Sequence, residues 1–389
     1  TNLIGTESPK QRECARLNMT YTVFSSRNLR ELEETGMVEY KILTRHDDPD
    51  LIDFINYVFS MDGEATDFVK LLPKAYEPES GHDILHLTLQ EEGRIVAAVS
   101  LLFITCHHGG DALKVGLVGN VSVHPYRRGR GYMKRLMQEA DRILRERQCD
   151  ISALGGQRQR YEYFGYVQAG LQASFTITTD NLRHRLGGGY VPSLTLREPE
   201  GVLDALYACY QRQKTLCRDR QDFLADCRSW QGELRAVCRD ARVIGYVVAT
   251  PAHTGWLEAV LPPDAYLEAI AAFLQEYGTD QVKISVPLYE TETLRMLESF
   301  SEYQTLEKSL MLKIFNMERF LTYSLGLGAP SPGIYEIGSY RAEVGEKEIW
   351  VRKTSQEEMA ADHLFSHFPR KEEADILPLR FWLGELDLF

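Results

Sequence analysis

Apolar and polar positions along residues 37–178 follow strand spacing and helix spacing in turn, which predicts a domain of mixed α/β structure. Residues 37–43 alternate as a first strand, and residues 51–59 place apolar side chains at helical spacing. A second helical stretch lies around residues 68–72. Alternation over residues 85–103, interrupted by two glutamates and a glycine, predicts a β-hairpin.

The next strand spans residues 115–123. The turn that follows this strand is the most informative segment. It passes through His124-Pro125, and a helix with one apolar face begins directly after it. The turn contains Arg127, Arg128, Gly129, Arg130 and Gly131. Glycines let the backbone approach a ligand, the first-turn N–H groups of a helix lack intrahelical partners, and the helix dipole favours anions. The segment therefore predicts a pyrophosphate site, with an ordinary arginine-rich turn facing water as the alternative.

Tyr161 is a second candidate for chemistry. Residues 151–155 predict a short buried strand, and an aromatic cluster follows in which Tyr161 stands four residues before Gly165. A tyrosine in such a cluster is otherwise expected to pack in the core, and that interpretation is preferred for Tyr163 and Tyr166. For Tyr161 the residues alone leave a role in the core and a functional role open.

The middle of the chain repeats the same order of elements more faintly. Residues 234–249 predict a second hairpin, followed by a strand at 256–261, a helix at 263–277 and a strand at 282–286. Leu261-Pro262-Pro263-Asp264 stands where an arginine-glycine turn would be needed, and a proline removes an N–H and adds no positive charge. We interpret this repeat as structural. It would help to form the pocket for the molecule on which the protein acts, and the contacts between subunits.

The C-terminal residues change in character once more. Residues 326–333 predict a linker, and residues 335–351 alternate in the manner of strands. Residues 354–357 form a capping box, which predicts a helix. Residues 377–389 are unusually apolar, whereas chain ends are normally polar and frayed. We therefore expect this segment to be docked, which would give the carboxylate of Phe389 a defined place.

Composition limits the classes of protein and partner. A length of 389 residues favours two or three domains, and 44% hydrophobic with 26% charged residues is ordinary for a soluble globular protein. The formal net charge of −12 argues against a nucleic-acid partner, and it would attract a positively charged small molecule. No apolar run is long enough to span a membrane or to form a signal peptide, so we expect a cytoplasmic protein with no membrane partner.

The seven cysteines are scattered, odd in number and without a C-x-x-C pair, which predicts free thiols in a reducing compartment. Cys106-His107-His108 is the place where a metal site could be suspected. Adjacent residues of a strand point to opposite faces, and no second ligand cluster is present. A loop after a strand is the preferred interpretation there, and no metal is expected.

The basic turn resembles the acetyl-CoA motif of the GNAT acetyltransferases, R/Q-x-x-G-x-G/A, over Arg128-Gly129-Arg130-Gly131-Tyr132-Met133. Met133 departs from the usual Gly or Ala, and a large apolar residue there is a habit of the Eis-like subfamily. Residues 161–166 resemble the Y-x-x-x-G-F/Y sequence that follows the fifth strand of these enzymes. The order of elements over residues 37–178 is also the GNAT order.

The whole chain resembles the Eis-like acetyltransferases. This resemblance implies an α/β (α+β) fold with two GNAT-type mixed-sheet domains in tandem, followed by a small α+β sterol-carrier-like domain. It places a catalytic GNAT domain at residues 37–180, a degenerate GNAT-like domain at 181–318 and the sterol-carrier-like domain at 319–389. Residues 1–36, which are polar and weakly periodic, are interpreted as an N-terminal extension. A homo-oligomer is also implied, with a hexamer as the form that the family suggests.

The resemblance also assigns roles to residues. In that family the terminal carboxylate serves as general base and the tyrosine as general acid, and these roles map to Phe389 and Tyr161. The backbone of the motif strand, here Val121 and Val123, holds pantetheine, and the turn at residues 128–133 holds the pyrophosphate. Many GNAT enzymes take their base from a glutamate on the strand before the motif. That strand has no carboxylate here, which favours a base from elsewhere.

These observations predict an N-acetyltransferase that moves an acetyl group from acetyl-CoA to a primary amine, such as an aminoglycoside-like molecule, a polyamine or a lysine side chain. An amine is protonated at neutral pH, so a base must take a proton, and a donor helps the departing thiolate. Asp62, Glu64 and Asp67 are candidates for attracting a cationic amine, with a solvated loop as the alternative for each. A protein that senses acetyl-CoA without turnover is the alternative function.

Overall fold

A twelve-stranded mixed sheet organises the chain from Glu39 to Ile314, and a three-stranded sheet follows it. The structure is a computed structural model, and it describes residues 38–44, 49–61, 63, 65–346, 348–356, 359, 361–365, 379 and 381–389. We call residues 38–178 the first half, residues 179–314 the second half and residues 315–389 the C-terminal part.

The first half contains β1 (Glu39–Leu43), α1 (Pro49–Ser60), α2 (Phe68–Leu71), α3 (Pro73–Tyr76), β2 (Asp83–Glu91), β3 (Arg94–His108), β4 (Asp111–Val123), α4 (Tyr132–Glu146), β5 (Ile151–Leu154), α5 (Arg158–Tyr161) and β6 (Val167–Thr178). The second half contains α6 (Thr179–Leu186), β7 (Leu194–Arg197), α7 (Leu203–Tyr210), α8 (Phe223–Arg228), β8 (Glu233–Arg239), β9 (Arg242–Ala249), β10 (Gly255–Val260), α9 (Tyr266–Tyr277), β11 (Gln281–Pro287), α10 (Thr291–Glu298) and β12 (Tyr303–Ile314). The C-terminal part contains α11 (Met317–Gly328), β13 (Gly333–Ile337), β14 (Tyr340–Val344), β15 (Ile349–Lys353) and the short helices Ala361–Phe365 and Glu385–Asp387.

The large sheet repeats one arrangement from both of its edges. Its strand order is β1-β2-β3-β4-β5-β12-β6-β11-β10-β9-β8-β7. Moving inward from either edge, antiparallel pairs lead to one parallel pair, which is β4–β5 in the first half and β10–β11 in the second. The predicted mixed-sheet α/β fold and the predicted second hairpin, strand, helix and strand are therefore confirmed.

The two halves exchange their last strands at the centre of this sheet. β12 of the second half pairs with β5 of the first half, from Met311 opposite Leu154 to Ile314 opposite Ile151. β6 of the first half pairs with β11 of the second half. Three side chains of β6, those of Ala173, Phe175 and Ile177, accordingly pack in the hydrophobic core of the second half. A cut after residue 180 would leave β6 without both of the strands that pair with it.

Helices cover both faces of the first half. On one face, α1 buries Leu51, Phe54 and Ile55 in a cluster that also contains Phe389. On the other face, the amphipathic helix α4 buries Leu136, Met137, Ala140, Ile143 and Leu144. Burying a leucine-sized side chain stabilises a fold by about 1.5–3 kcal/mol. The packing of α4 therefore fixes its first turn against the end of β4.

The C-terminal part forms a small antiparallel sheet, β13-β14-β15. The helix predicted from the capping box differs from the structure: residues 354–356 are not helical, Glu357 lies outside the described residues, and the helical segment there is the short helix Ala361–Phe365. None of the helices in the described part of the chain has the length and apolar character needed to span a bilayer. The domain boundaries, the sterol-carrier-like domain and the homo-oligomer stay predictions.

The prediction of free thiols is wrong for two cysteines. Cys106 forms a disulfide with Cys217, 111 residues further along the chain. β3 extends through His108 instead of ending before Cys106, and His107 forms an isolated bridge with Leu216. This extension of β3 brings Cys106 beside the loop after α7, which the sequence pattern did not show. Among the described cysteines, Cys149, Cys209, Cys227 and Cys238 are free and buried.

Candidate active site

The turn between β4 and α4 has the backbone geometry of an anion site. Gly129 and Gly131 both adopt left-handed conformations, with φ of 80° and 78°. Gly131 precedes the first residue of α4 without a side-chain cap, so the first-turn N–H groups have no capping partner from that residue. A Cβ atom at either glycine would meet nothing within 4 Å. The turn is therefore open in front of the helix N-terminus, where the helix dipole favours an anion.

Glu91, at the end of β2, organises the arginines of this turn. Its carboxylate accepts hydrogen bonds from Arg127 Nε at 2.5 Å, Arg130 Nη1 at 3.2 Å and Tyr132 Oη at 2.5 Å. Burial alone would raise the pKa of Glu91, but these hydrogen bonds and the two positive charges outweigh it and lower the pKa. Arg128 is exposed and forms no ion pair with a carboxylate of the described residues. Arg128 is thus the cation of the turn that is available to a ligand.

A cavity of about 380 Å³ opens at this turn. Its lining includes seven of the eight residues predicted to bind the cofactor: Val121, Val123, Arg128, Gly129, Gly131, Tyr132 and Met133. The eighth, Arg130, does not line the cavity and instead pairs with Glu91. The other lining residues are Val58, Phe59, Ser122, Arg127 and Arg160. The residues that the sequence predicts to hold pantetheine and pyrophosphate therefore share one cavity, and their cofactor-binding role stays a prediction.

The cavity lies where β4 separates from β5. The two parallel strands pair only at residues 115–117 of β4, although β4 continues to Val123. Asn120 has a φ of 50°, and the register of β4 against β3 shifts at this point. Such a bulge bends the strand and re-aims the side chains beyond it. The segment that carries Val121 and Val123 is consequently not paired with β5.

Tyr161 ends the short helix α5 and is 6% exposed. Its ring lies over Gly156, where a Cβ atom would stand 2.5 Å from Cε2 of Tyr161. Burial raises the pKa of Tyr161, which keeps its hydroxyl protonated. Its neighbour Arg160 lines the cavity at the basic turn. Tyr161 is thus buried next to a residue that lines that cavity, and its role as general acid stays a prediction.

The other two tyrosines of this cluster differ from one another. Tyr166 is buried, and its hydroxyl hydrogen-bonds to Ser152 Oγ at 2.8 Å, as the core interpretation predicted. Tyr163 is 68% exposed, so the prediction that it packs in the core is wrong. Tyr163 lies in a short helix, Glu162–Phe164, that follows α5. This helix ends at Gly165, which adopts a left-handed conformation.

Phe389 is buried against β4 at the point where that strand leaves β5. A Cβ atom at Gly119 would stand 2.9 Å from the carboxyl carbon of Phe389 and 2.5 Å from its ring. Gly119 lies two residues beyond Leu117, the last residue of β4 that pairs with β5. The absence of a side chain at Gly119 therefore makes room for Phe389. The predicted docking of the apolar C-terminal segment is confirmed for residues 379 and 381–389, and the role of Phe389 as general base stays a prediction.

Buried polar side chains lie beside Gly119, and the sequence analysis did not identify them. Ser100 on β3 is the cross-strand partner of Gly119, and Ser100 Oγ hydrogen-bonds to His86 Nδ1 at 2.7 Å. Tyr76 stacks on His86 with ring centroids 5.8 Å apart and accepts a hydrogen bond from Asn120 Nδ2. The only signal in the sequence was a polar residue within an apolar strand. This buried cluster therefore adjoins Gly119, the position that makes room for Phe389.

Of the three acidic residues predicted to attract a cationic amine, the structure describes only Asp67, which caps a helix. Asp67 caps α2 by accepting from the backbone N–H of Lys70 at 3.4 Å, and its side chain pairs with Lys70. The hydrogen bond from the Lys70 side chain is the main cause of the lowered pKa of Asp67. Asp62 and Glu64 lie outside the described residues. Within the described ranges, no group of three His, Cys, Asp or Glu side chains is arranged to hold a metal ion.

Comparisons with known proteins agree with this geometry. Three solved structures share the fold. A GCN5-related N-acetyltransferase from Anabaena variabilis is 17% identical with a TM-score of 0.58, over 90% of this chain and 100% of that one. One from Kribbella flavida is 16% identical with a TM-score of 0.56, over 82% and 86% of the two chains. Eis1 from Mycobacterium abscessus is 16% identical with a TM-score of 0.52, over 82% and 85%. At these identities the likeness shows the fold alone.

The sequence comparisons locate the family resemblance in one part of the chain. No curated protein matches the sequence. The family model described as an acetyltransferase (GNAT) domain matches residues 39–169, which include the basic turn, the separated strands β4 and β5, and Tyr161. Proteins of that family transfer an acetyl group from acetyl-CoA. Residues 39–169 of this chain are therefore similar to a GNAT acetyltransferase domain.

Proposed function

We propose that the protein is an N-acetyltransferase that transfers the acetyl group of acetyl-CoA to a primary amine by direct attack. The observation that carries this proposal is the cavity at the basic turn, where the open backbone of Gly129 and Gly131 and the unpaired Arg128 face the same space. A phosphate there would accept hydrogen bonds from first-turn N–H groups and from a guanidinium. The separated β4 would take the pantetheine arm along Val121 and Val123.

The residues at the strand separation supply the acid and base chemistry of this proposal. The carboxylate of Phe389 accepts a proton from the acceptor ammonium, directly or through water, so that the nitrogen lone pair becomes available. The amine nitrogen then bonds to the acetyl carbonyl carbon, and the carbon–sulfur bond breaks. Tyr161 donates its proton to the departing thiolate, and the second proton that the acylated nitrogen loses restores the Tyr161 hydroxyl. Because burial keeps the Tyr161 hydroxyl protonated, this donor is ready at neutral pH.

The acceptor in this proposal is a cation in solution, such as a polyamine, an aminoglycoside-like amine or a lysine side chain. The chain carries 56 acidic and 44 basic residues, so its overall field attracts cationic molecules. The buried polar side chains of Tyr76, His86, Ser100 and Asn120 provide hydrogen-bonding groups next to Phe389.

A screen of amines tests the proposal. Spermidine, kanamycin and a peptide with a blocked N-terminus and a free lysine side chain are each incubated with the protein and acetyl-CoA. Released CoA is measured with a thiol reagent. At least one class should give amine-dependent release, with the acetylated amine identified by mass spectrometry. The Gly131→Asp variant should give none. Tight acetyl-CoA binding without turnover on a broad amine panel would instead support a sensor.

A further inference from the structure

The C-terminal tail, residues 381–389, packs against both halves of the large sheet. Leu386 is fully buried in the second-half core, among side chains of α7, α8, β8 and β9. Three residues later, Phe389 is buried in the first-half core beside Gly119. This tail is held by two buried cations, one from each half.

Lys74 on α3 is the cation of the first half. It is 1% exposed, and its Nζ donates hydrogen bonds to the carbonyl oxygens of Leu386, at 2.6 Å, and Leu388. Burial lowers the pKa of Lys74 to about 8, although the charges of Asp226 and Asp387 oppose that effect. A lysine buried this deeply is costly unless its donors are used. The donors of Lys74 are used on the backbone of the tail.

Arg218 in the loop before α8 is the cation of the second half. Its Nε donates to Asp387 Oδ1 at 2.7 Å, and its two terminal nitrogens donate to Glu258 at 3.0 and 2.7 Å. Glu258 also accepts from Tyr246 Oη at 2.6 Å. The guanidinium is therefore held by a bidentate pair on β10, and its Nε–H donates to the tail.

The two anchoring points occupy corresponding places in the two halves. β10 pairs with β11 only through Trp256, and Glu258 lies two residues beyond it. Gly119 lies two residues beyond Leu117 on β4. Both strands carry a register shift at this place, β4 against β3 and β10 against β9. In the first half this position makes room for Phe389, and in the second half it holds the arginine that binds Asp387.

We propose that Lys74 and Arg218 are positioning residues that fix the carboxyl group of Phe389 at the strand separation of the first half. They hold Leu386, Asp387 and Leu388, so the residue that follows has little freedom left. The second half, which lacks the basic turn, would thereby serve the reaction of the first half by anchoring the tail. The catalytic consequence rests on the proposed function, whereas the anchoring itself does not.

Digestion with carboxypeptidase A tests the anchoring without any assumption about activity. Lys74→Met removes the donors to the tail backbone, and Asp387→Ala removes the tail's bond to Arg218 while the pair of Arg218 with Glu258 remains. Arg235→Met is the matched control, because Arg235 is a largely buried arginine of the second half that pairs with Glu198 and Glu276. Release of free phenylalanine is followed by mass spectrometry and normalised to a synthetic peptide of each tail sequence.

We call Lys74→Met and Asp387→Ala the tail variants. We expect both to release Phe389 at least about tenfold faster than the parent, because local opening of the tail exposes this residue. The Arg235→Met variant should release it at the parent rate. Melting temperatures show whether each variant is folded, and Asp387→Ala suffices if Lys74→Met does not fold. Release at the parent rate from folded Asp387→Ala and folded Lys74→Met would overturn the proposal.

A second experiment tests the catalytic consequence with an amine accepted in the screen. In the full chain, each tail variant should lower kcat by about tenfold or more, since a displacement of about 1 Å can have such an effect. The affinity for acetyl-CoA should stay within twofold of the parent. In a chain that lacks Phe389, the same variants should lower kcat no further. An equal additional loss there would contradict positioning through Phe389.

The outcomes also separate the two proposals. If deletion of Phe389 leaves kcat unchanged, the assignment of the general base in the proposed function is wrong, while the digestion result still decides the anchoring. If deletion lowers kcat but neither tail variant does, the positioning proposal alone is wrong.

Discussion

The two halves of the large sheet have the same frame and differ in the turn that follows the separating strand. Each has a parallel strand pair that parts, a helix that begins just beyond it and a cavity between them. The cavity of the second half has a volume of about 330 Å³, close to that of the first. A cavity at the strand separation is therefore common to both halves and does not by itself make a phosphate site.

The turn makes the difference between the two cavities. In the first half it offers left-handed glycines and Arg128 in front of α4. In the second half Leu261 and Pro262 line the corresponding cavity, together with the carboxylates of Glu258 and Glu290. A proline has no N–H to donate, and no glycine is among the described residues that line this second cavity. We therefore expect that a few residues in this one turn determine which half binds acetyl-CoA.

The largest expected effect is the loss of acetyl-CoA binding in Gly131→Asp. An aspartate there would place a negative charge against the pyrophosphate and strain a backbone with a φ of 78°. Calorimetry should find one acetyl-CoA per parent chain and none for the variant. Gly201→Asp, at another left-handed glycine with open space around it, is the matched control for strain and should keep a stoichiometry of one. Two sites per parent chain would show that the second cavity also binds the cofactor.

The next largest effect is expected for Tyr161→Phe, which removes only a hydroxyl. The fold and acetyl-CoA affinity should be retained, while kcat should fall by about 10²-fold, the usual scale for loss of a general acid. Tyr163→Phe is the control, since Tyr163 is exposed and only two residues away. Equal activity of the two variants on an accepted amine would show that Tyr161 is not the proton donor.

A smaller effect is expected for Gly119→Ala. The new methyl group would stand within 3 Å of the ring and carboxyl carbon of Phe389, so the tail must shift. We expect kcat to fall by about tenfold and stability to fall by about 1–3 kcal/mol, as for other overpacked sites. Three glycines added after Phe389 should lower kcat similarly without the loss of stability. Full activity in both cases would place the general base elsewhere.

The smallest expected effect concerns His82, which joins the two halves through Asp226 on α8 at 2.9 Å. Burial alone would lower the pKa of His82, but the hydrogen bond and charge of Asp226, with the charge of Asp222, outweigh it and raise the pKa. A raised pKa stabilises the fold below the ordinary value of about 6.5, and this contribution is lost as pH rises through the raised value.

Chemical denaturation at several pH values measures this contribution. His82→Asn should lower the free energy of unfolding by about 1 kcal/mol at pH 6, as for loss of a charge-assisted hydrogen bond, and by less at pH 9. Lys70→Gln, at an exposed ion pair, is the control and should show no such dependence. A difference that grows with pH would contradict the raised pKa.

The sequence predicted those features of the site that depend on neighbouring residues. The glycines and arginines of the basic turn act through their own backbone and charge, so their spacing was sufficient. The docking of Phe389 was predicted because apolar side chains at that density are seldom left in water. Tyr161 was identified by its distance from Gly165, which the local helix preserves.

Features that depend on distant parts of the chain could not be predicted. Glu91 belongs to a hairpin, and nothing in the hairpin indicates that it receives Arg127 and Arg130. Cys106 and Cys217 meet only because β3 runs further than its alternation suggested. Tyr163 illustrates the opposite error, in which a plausible core position faces solvent because a short helix turns outward.

The strand exchange also determines when the sheet of the first half can finish folding during synthesis on the ribosome. β5 is synthesised early, but its partner β12 pairs Ile314 with Ile151, so the first sheet stays open at its centre until the second half has emerged. At about 5–20 residues per second, this delay is on the order of ten seconds. During that time, β5 and β6 expose unpaired edges that neighbouring nascent chains can bind. Slow-folding variants of the second half should therefore reduce soluble yield through aggregation of the first.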